Sequence, residues 1–410
     1  MRPGYDVAIC LMGAGIWLAQ PFSAKARYWV SGRIHWREYL RPVPTDRRPV
    51  LWMHVASLGE FEQGRPILEA FRHRYPKGWI ILSFFSPSGY RVRRDYSGAD
   101  VVCYLPLDTR RNARNFIEHW QPDVAIFVKY DFWANYLFEL KHREVPTFLI
   151  SALFRPGQPF FRPWGDLWRQ MLQCFSHIFT QNESSTALLH RIGVQQVSTA
   201  GDTRVDRVLR LAQESTLLDR PPFEADIVAG STWPADEAVL LPAIHHPQLA
   251  HMRWIIAPHE PSERRLRRLV SHLRRPWVLY SHWDGRQPAE VMVVDSVGLL
   301  ARLYRYGRLA YIGGGFGRGI HNTLEPAAYG LPVLFGPNYR RFEEACQFVR
   351  RGGGFPVRDF GDLLGALRQL EDPQEYQRAS AAVKRFLSEN EGATEQIWRF
   401  LCAQFERRPK

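Results

Sequence analysis

The sequence contains few cysteines and no cysteine motif. Its five cysteines are scattered, none in a CxxC pair or at metal-ligand spacing, and their number is odd; they are Cys10, Cys103, Cys174, Cys346 and Cys402. This usage argues against a disulfide framework or a structural zinc site and favours a reducing compartment. The fourteen histidines form no HExxH pattern either. We therefore predict neither a metal nor a cofactor.

Long hydrophobic runs are also lacking. The most apolar stretch, residues 7–19, is shorter than the roughly 20 residues that cross a bilayer. Residues 25–33, which follow it, mix aromatic and basic side chains as an interfacial anchor does. Because the basic residues follow the apolar run, a cleaved signal peptide is disfavoured. We predict that residues 1–35 form a membrane-associated helix; a core helix of the first domain is the alternative.

Negative charge is scarce relative to positive charge. The net charge is +13 over 410 residues and the pI is about 9.7. This excess implies an anionic partner, which the charge alone leaves open among nucleic acid, anionic lipid and a phosphorylated substrate. Leucines interrupt the basic run Arg264–Arg268 at helical spacing, which is typical of the solvated face of an amphipathic helix. Because no RNA-binding or zinc-finger signature is present, we expect no nucleic acid partner.

Apolar runs of strand length alternate with helix-length segments in two sets. Continuous apolar strands separated by helices predict parallel sheets covered on both faces. The first set comprises residues 50–56, 79–85, 101–105, 123–128, 147–151 and 177–180; the second comprises 227–230, 254–257, 278–280, 291–294, 309–312 and 333–335. We predict an α/β protein of two doubly wound, Rossmann-like domains facing a central cleft. The predicted domains are residues 36–212 and 225–390, with a linker at 213–224 and a C-terminal helix at 391–410.

The glycine-rich segment 310–337 is predicted to be a strand, a glycine loop over 313–319 and a helix over 323–329. Glycines allow close approach of the backbone to an anion, and a following helix N-terminus favours negative charge. Glu325 in the first helical turn could bind a ribose diol, with Asn322 capping the helix. The alternative is that Asn322 and Glu325 form only a capping pair.

A second candidate lies in the turn after the first predicted strand, Ser57-Leu-Gly-Glu60. A parallel sheet places this turn at its carboxyl edge, where ligands bind, so Glu60 is a candidate to act on a hydroxyl. The same four residues also make a capping box, in which Glu60 would only satisfy a helix N-terminus. The residue pattern by itself leaves both interpretations open.

Several ordered motifs resemble the transferases of 3-deoxy-D-manno-octulosonic acid (Kdo) in lipopolysaccharide assembly, over about residues 29–345. They are Ser57–Glu60, Gly201–Asp206, Gly230–Thr232, Ala257–His259, Asp295–Gly298 and His321–Gly330, with Pro332 and Gly336-Pro337. The resemblance implies a GT-B glycosyltransferase with an N-terminal acceptor domain and a C-terminal donor domain. The implied donor is CMP-Kdo, and the implied acceptor is a lipid A precursor at the cytoplasmic face of the inner membrane.

The resemblance also implies roles for individual residues. Glu60 becomes the general base, and Arg204 stands where the family usually has a lysine thought to stabilise the transition state. The implied CMP-contacting residues are Pro258, His259, Val297, Gly298, Leu299, Asn322, Thr323, Leu324 and Glu325. In three places the chain departs from the family: Lys129 and Asp131 replace glutamates, His259 replaces a frequent arginine, and Leu299 a frequent glutamate.

These residues predict an inverting, metal-independent displacement. Glu60 would take the proton of the attacking hydroxyl, while Arg204 and the helix terminus at Asn322 would stabilise the departing phosphate. Partial burial that raises the pKa of Glu60 would suit it to this role. The alternative functions are a GT-B enzyme that uses a UDP-sugar and a basic nucleic-acid-binding protein without catalysis.

Overall fold

A computed structural model of the chain describes residues 2–34, 36–39, 42–214, 218 and 220–406. Some predicted segments extend beyond these ranges. Residues 1 and 35 of the predicted N-terminal helix, 215–217 and 219 of the predicted linker, and 407–410 of the predicted C-terminal helix lie outside the described residues.

The strands are β1 Val50–Val55, β2 Trp79–Phe84, β3 Val101–Tyr104, β4 Val124–Val128, β5 Thr147–Ala152, β6 His177–Thr180, β7 Val197–Thr199, β8 Ala225–Thr232, β9 Trp254–Pro258, β10 Trp277–Leu279, β11 Val291–Val293, β12 Gly307–Ile312, β13 Val333–Phe335 and β14 Gly354–Pro356. The helices are α1 Arg2–Leu18, α2 Ala24–Ile34, α3 Leu58–Arg74, α4 Pro87–Arg93, α5 Arg110–Trp120, α6 Ala134–His142, α7 Asp166–Leu172, α8 Glu183–Arg191, α9 Thr203–Glu214, α10 Pro234–Ile244, α11 Glu263–Val270, α12 Leu300–Leu303, α13 Leu324–Ala327, α14 Glu343–Arg351, α15 Phe360–Glu371, α16 Pro373–Glu389 and α17 Ala393–Glu406.

The strands form two seven-stranded sheets in which the paired strands are parallel. The first has the order β3-β2-β1-β4-β5-β6-β7 and the second β10-β11-β9-β8-β12-β13-β14. The predicted α/β class with two parallel sheets is therefore confirmed. The predicted strands miss β7 and β14, which are three-residue strands at the sheet edges; β14 contains glycine and proline, which are depleted in strands.

The apolar strands are continuous because both faces of each sheet are covered. In β1, Trp52 packs on one face, with ring centroids 5.0 Å from Phe116 and 5.4 Å from Phe127. Its neighbours Leu51 and Met53 point to the opposite face and join a separate core cluster. Successive side chains of a strand alternate between faces, so burial on both sides favours apolar residues at most positions.

The chain divides into two compact units, Met1–Asp206 with Gly392–Lys410 and Arg207–Glu391. The division falls inside α9, a few residues before the predicted end of the first domain at residue 212. The C-terminal helix α17 belongs to the first unit, where Ile397 and Leu401 are fully buried beside Phe71. The Asp206 carboxylate accepts hydrogen bonds from the backbone N–H groups of Gly392 and Thr394, both at 2.6 Å.

Helix α1 is attached to the first unit near its N-terminus. The Tyr5 hydroxyl donates to Asp108 at 2.5 Å, and Asp6 forms an ion pair with Arg110 at 2.8 Å. Within the described residues, no helix combines the length and apolar character needed to cross a membrane.

Candidate active site

The strand order of the first sheet reverses between β1 and β4. In doubly wound sheets, ligands bind at the carboxyl ends of the strands on either side of such a reversal. The loop after β1 leads to Glu60, and the loop after β4 carries Lys129 and Asp131. The structure thus brings together three residues that are far apart in sequence, and both Asp131 and Lys129 affect the ionisation of Glu60.

Glu60 lies in the first turn of α3 and is only 9% exposed. Its carboxylate accepts hydrogen bonds from the backbone N–H groups of Ala56 at 2.5 Å and Ser57 at 3.1 Å, as in the predicted capping interaction. Burial, followed by the neighbouring Asp131 charge, raises the pKa of Glu60 to about 8, against the opposing effects of Lys129 and the two N–H groups. Glu60 therefore caps the helix and also has the raised pKa that is typical of an acid–base residue. Capping alone does not explain this pKa, because the two N–H groups lower it.

Asp131 contacts a buried histidine that we did not predict as a site residue. The Nε2 atom of His54, a fully buried side chain of β1, lies 2.8 Å from an Asp131 carboxylate oxygen. Its Nδ1 atom lies 2.8 Å from the Ser83 hydroxyl, which also accepts a hydrogen bond from the Trp52 indole. The sequence signal was a single histidine inside an otherwise apolar strand. The imidazole is held in place behind Asp131 by the hydrogen bond of Nδ1 with Ser83 and by the Trp133 indole, which donates to Nε2 at 3.2 Å.

Lys129 supplies the positive charge of this cluster. Its backbone adopts a left-handed conformation with φ 64°, and its N–H donates to the Ile150 carbonyl at 3.0 Å. The Lys129 ammonium opposes the upward shift in the pKa of Glu60 and also favours the ionised form of Asp202. The lysine therefore stabilises both carboxylates in their charged state.

Arg204, at the start of α9, is held by Asp202. The guanidinium donates from Nε at 3.0 Å and from Nη2 at 2.6 Å to the same carboxylate oxygen. Gln63 and Gln181 donate to that oxygen as well, at 3.1 and 3.2 Å. Burial alone would raise the pKa of Asp202, but the Arg204 ion pair and hydrogen bonds hold it below its usual range. Arg204 is thereby fixed near the first turn of α3, and its role in the transition state stays a prediction.

In the second unit, the strand order reverses between β8 and β12, and the predicted glycine loop follows β12. Asp236, in the first turn of α10, connects the two loops at this point. Its carboxylate accepts from the backbone N–H groups of Gly314 at 2.9 Å and Trp233 at 2.8 Å, and from the Tyr311 hydroxyl at 3.1 Å. We did not predict Asp236, although its position three residues after Trp233 is typical of a helix cap.

The helix predicted over residues 323–329 is wrong in length, because α13 covers only Leu324–Ala327. The left-handed Gly330, with φ 75°, follows the helix and limits it to a single turn. The predicted Asn322–Glu325 pair is present: the Asn322 side-chain amide donates to Glu325 at 3.0 Å and its oxygen accepts from the Leu324 N–H at 3.1 Å. Burial raises the pKa of Glu325, while Asn322 and Arg207 oppose the shift.

Two of the predicted donor residues, Gly298 and Glu325, line a common cavity of about 470 Å³ in the second unit. The remaining lining residues are Arg207, Val208, Leu211, Ala212, Glu214, Ala301, Arg302 and Tyr329. Val297 is exposed and Leu299 caps α12, whereas the side chains of Thr323 and Leu324 are buried. The cavity combines two carboxylates, Glu214 and Glu325, with two arginines, which suits a ligand with a diol and an anionic group.

Pro258 and His259 end β9 beside an aromatic stack. The His259 ring lies between Trp233 and His321, with centroid distances of 4.8 and 4.3 Å. The Trp233 indole donates to the His321 ring at 3.1 Å. Burial, followed by the His259 charge, lowers the pKa of His321 to about 4, so this ring is neutral at pH 7. His321 belongs to the quoted His-Asn-Thr-Leu-Glu motif, but the stack with Trp233 could not be predicted.

Metal-ligating side chains do not cluster in the part of the chain that the structure describes: there, no group of three or more His, Cys, Asp or Glu residues could hold a metal ion. The candidate residues above are carboxylates, arginines, a lysine and aromatic rings.

The two parallel sheets, with carboxylate and glycine-loop sites at their reversal points, define a protein of the GT-B type. Residues 33–207 match the family model described as 3-Deoxy-D-manno-octulosonic-acid transferase (kdotransferase). Over this segment and across most of its length, the chain is similar to Kdo transferases of lipopolysaccharide biosynthesis, which are glycosyltransferases.

Curated relatives agree with this similarity, and a solved structure shares the fold. A 3-deoxy-D-manno-octulosonic acid transferase of Aquifex aeolicus is 26% identical over 330 residues, covering 78% of this chain and 85% of that protein. One of Chlamydia trachomatis serovar A is 25% identical over 389 residues, covering 89% and 88%. The structure of UDP-GlcNAc 2-epimerase from Neisseria meningitidis shares the fold, with a TM-score of 0.60 at 15% identity over 87% of this chain and 100% of that chain.

Proposed function

We propose that the protein transfers Kdo from CMP-Kdo to a hydroxyl of a lipid A precursor, with inversion at the anomeric carbon. The observation that carries this proposal is the buried Glu60 at the reversal point of the first sheet, where the charges of Asp131 and Lys129 act on its pKa. A carboxylate with a raised pKa is a stronger base than an ordinary glutamate, and so is suited to remove a proton from a sugar hydroxyl.

The proposed reaction is a single displacement. The acceptor oxygen forms a bond to the anomeric carbon of Kdo as its proton passes to the Glu60 carboxylate. The bond between that carbon and the phosphate oxygen breaks, and CMP leaves with the electron pair. Because CMP is already a good leaving group, the remaining task is to stabilise the charge that develops on the phosphate, which we assign to Arg204 and the Asn322 segment.

For the donor we propose that CMP binds at the cavity lined by Gly298 and Glu325. The Glu325 carboxylate would accept hydrogen bonds from the ribose hydroxyls, and Arg207 or Arg302 would attract the anionic part of the nucleotide. His259, stacked on Trp233, adds an aromatic surface at the end of β9.

We further propose that the protein lies on the cytoplasmic face of the inner membrane through α1. This helix exposes a set of large apolar side chains, with Leu11 67%, Trp17 59% and Leu18 65% exposed, and Phe22 just beyond it is 92% exposed. The basic residues of α2 and the net charge of +13 would attract anionic lipid. Attachment through Tyr5 and Asp6 would hold the first unit close to the acceptor headgroup.

The transfer reaction is tested with CMP-Kdo generated in situ and a tetra-acylated disaccharide lipid A precursor. We expect transfer by the wild type and loss of transfer in Glu60→Gln. Glu69→Gln on the same helix, where Glu69 pairs with Arg65, is the matched control and should remain active. Transfer that survives in Glu60→Gln would limit Glu60 to its capping role, and inhibition by UDP but not CMP would favour a UDP-sugar donor.

Two further measurements test the remaining parts. EDTA should leave the rate unchanged, and inhibition that magnesium reverses would contradict the metal-independent displacement.

Membrane binding is tested by sedimentation with vesicles containing anionic lipid, which should recover more of the wild type than of Leu11→Glu. Trp164→Glu, which alters an exposed tryptophan outside α1, is the control for a general loss of surface hydrophobicity.

A further inference from the structure

A second cavity of the second unit, of about 310 Å³, is lined by arginines. Its lining residues are Gly317 and Arg318 from the loop after β12, and Pro337, Asn338, Arg340 and Arg341 from the loop after β13. Strands β12 and β13 are neighbours in the sheet, so both loops leave the same carboxyl edge. We call this feature the arginine cavity.

The two loops that form the arginine cavity are packed closely against each other. A Cβ atom built on Gly315 would lie 2.5 Å from the Gly336 Cα, so only glycine allows this approach of the two backbones. The Asn338 backbone N–H donates to the Gly315 carbonyl, and its side-chain amide donates to the Gly317 carbonyl, both at 2.9 Å. These contacts fix the backbone positions from which the arginines project.

The charges in the arginine cavity are of one sign. Three guanidinium groups line it and no carboxylate does. Across the described ranges, neither Arg318 nor Arg340 forms an ion pair with an Asp or Glu, whereas Arg350 and Arg358 of the same unit pair with Glu343 and Asp362. Like charges gathered in one cavity repel one another unless an anion lies between them. Arginine is suited to bind planar carboxylates and phosphates through two parallel hydrogen bonds.

The arginine cavity shares one segment of the chain with the cavity that contains the predicted donor residues. The segment that follows β12 contributes Arg318 to this cavity and, a few residues later, Glu325 to the 470 Å³ cavity assigned above to CMP. One segment of the chain therefore joins the two cavities. The sugar of the proposed donor is acidic, whereas the sugars of most nucleotide donors are neutral.

We propose that the arginine cavity binds the carboxylate of the donor sugar and so selects a CMP-linked acidic sugar over the free nucleotide. This inference rests on the proposed function, because it takes the donor from it. Arg318 and Arg340 provide the charge-assisted hydrogen bonds, and Asn338 is a positioning residue that holds the loop carrying Arg340.

The test compares binding of CMP-Kdo and CMP. Freshly prepared CMP-Kdo and CMP each displace a fluorescent CMP derivative from the wild type, from Arg318→Gln and from Arg340→Gln. Arg264→Gln, at an exposed arginine of α11 in the same unit, is the matched control. We expect each cavity variant to bind CMP-Kdo about 10- to 100-fold more weakly, the range for loss of a hydrogen bond to a charged group, with CMP affinity unchanged. The control should match the wild type for both ligands.

Three results would overturn the assignment. If the variants bind CMP as much more weakly as they bind CMP-Kdo, the arginine cavity is a nucleotide phosphate site. The assignment also fails if the variants bind both ligands as tightly as the wild type does, or if the wild type binds CMP-Kdo no more tightly than CMP. Because both variants are at exposed loop positions, equal melting temperatures would verify that they are folded. If the wild type binds CMP-Kdo through these arginines but transfers nothing to the lipid A precursor, the proposed reaction fails while the carboxylate site stands.

Discussion

Both units have a candidate site where the strand order of the sheet reverses, but the two sites are made of different groups. In the first unit, the site consists of ionisable side chains that are largely withdrawn from solvent: Glu60, Asp131, Lys129 and the Arg204–Asp202 pair. In the second unit, the loop itself is made largely of backbone, with glycines at Gly313–Gly315 and arginines and aromatic rings around it. The same parallel topology therefore supports two different chemistries.

This difference follows from what each site is proposed to do. A general base works best when its pKa is near the working pH, and burial beside a like charge raises the pKa of a carboxylate toward that value. A site for an anionic nucleotide needs close backbone approach and positive charge, which glycines and arginines supply. The four predictions below test whether the two units divide base chemistry and donor binding between them.

The largest expected effect separates the two carboxylates Glu60 and Glu325. Glu60→Gln should lower kcat roughly 10²- to 10⁴-fold, because a general base is removed. Glu325→Gln should instead raise the KM for the donor about tenfold, as expected for loss of a hydrogen bond in binding, with kcat little changed. Steady-state kinetics with varied CMP-Kdo would measure both. A kcat loss of equal size in both variants would show that the units do not divide the work in this way.

The second prediction concerns the backbone packing of the glycine loop. Gly315→Ala places a methyl group against the Gly336 backbone, so it should lower the free energy of unfolding by about 1–3 kcal/mol. Gly365→Ala is the matched control, because the Cβ position of Gly365 in α15 is open and alanine favours a helix. Denaturant unfolding of both variants would measure the difference. An unaffected Gly315→Ala would mean that the two loops separate easily.

The third prediction concerns the stability cost of the buried base. Because the folded protein raises the pKa of Glu60 to about 8, the protonated form is favoured by folding, and the wild type loses this stabilisation as pH rises from about 4.5 to 8. Glu60→Gln cannot ionise, and its amide oxygen can still accept from Ala56 and Ser57. The variant should therefore gain roughly 5 kcal/mol over the wild type across this pH range. Parallel pH dependences of unfolding in the two proteins would contradict the raised pKa.

The smallest expected effect is a shift in the pH profile. Activity of the wild type should rise as Glu60 deprotonates, with an acidic limb in kcat/KM near pH 8. Asp131→Asn removes a like charge and should move this limb down by about one pH unit, whereas Lys129→Met removes an opposite charge and should move it up by a similar amount. Arg264→Gln should leave it in place. Shifts in the same direction in both variants would show that charge is not the cause.

Much of the fold could be predicted from local pattern. The continuous apolar runs predicted twelve of the strands, because a strand buried on both faces is apolar at most of its positions. The glycine loop after Ile312 and the turn leading to Glu60 were also predictable, because both directly follow such a run. The length of α13 was not, since its end depends on the left-handed conformation that Gly330 adopts in the folded protein.

The sequence by itself determined that two parallel sheets form and that Glu60 and the glycine loop lie at their carboxyl edges. Both features depend on residues that are close together in the sequence, so they can be predicted without knowing the tertiary contacts. Only the tertiary structure decided that α17 returns to the first unit, that His54 faces Asp131, and that Asp202 holds Arg204. Whether a carboxylate is capped, paired or raised in pKa depends on which distant side chains surround it, because burial and Coulomb interactions act through space rather than along the chain.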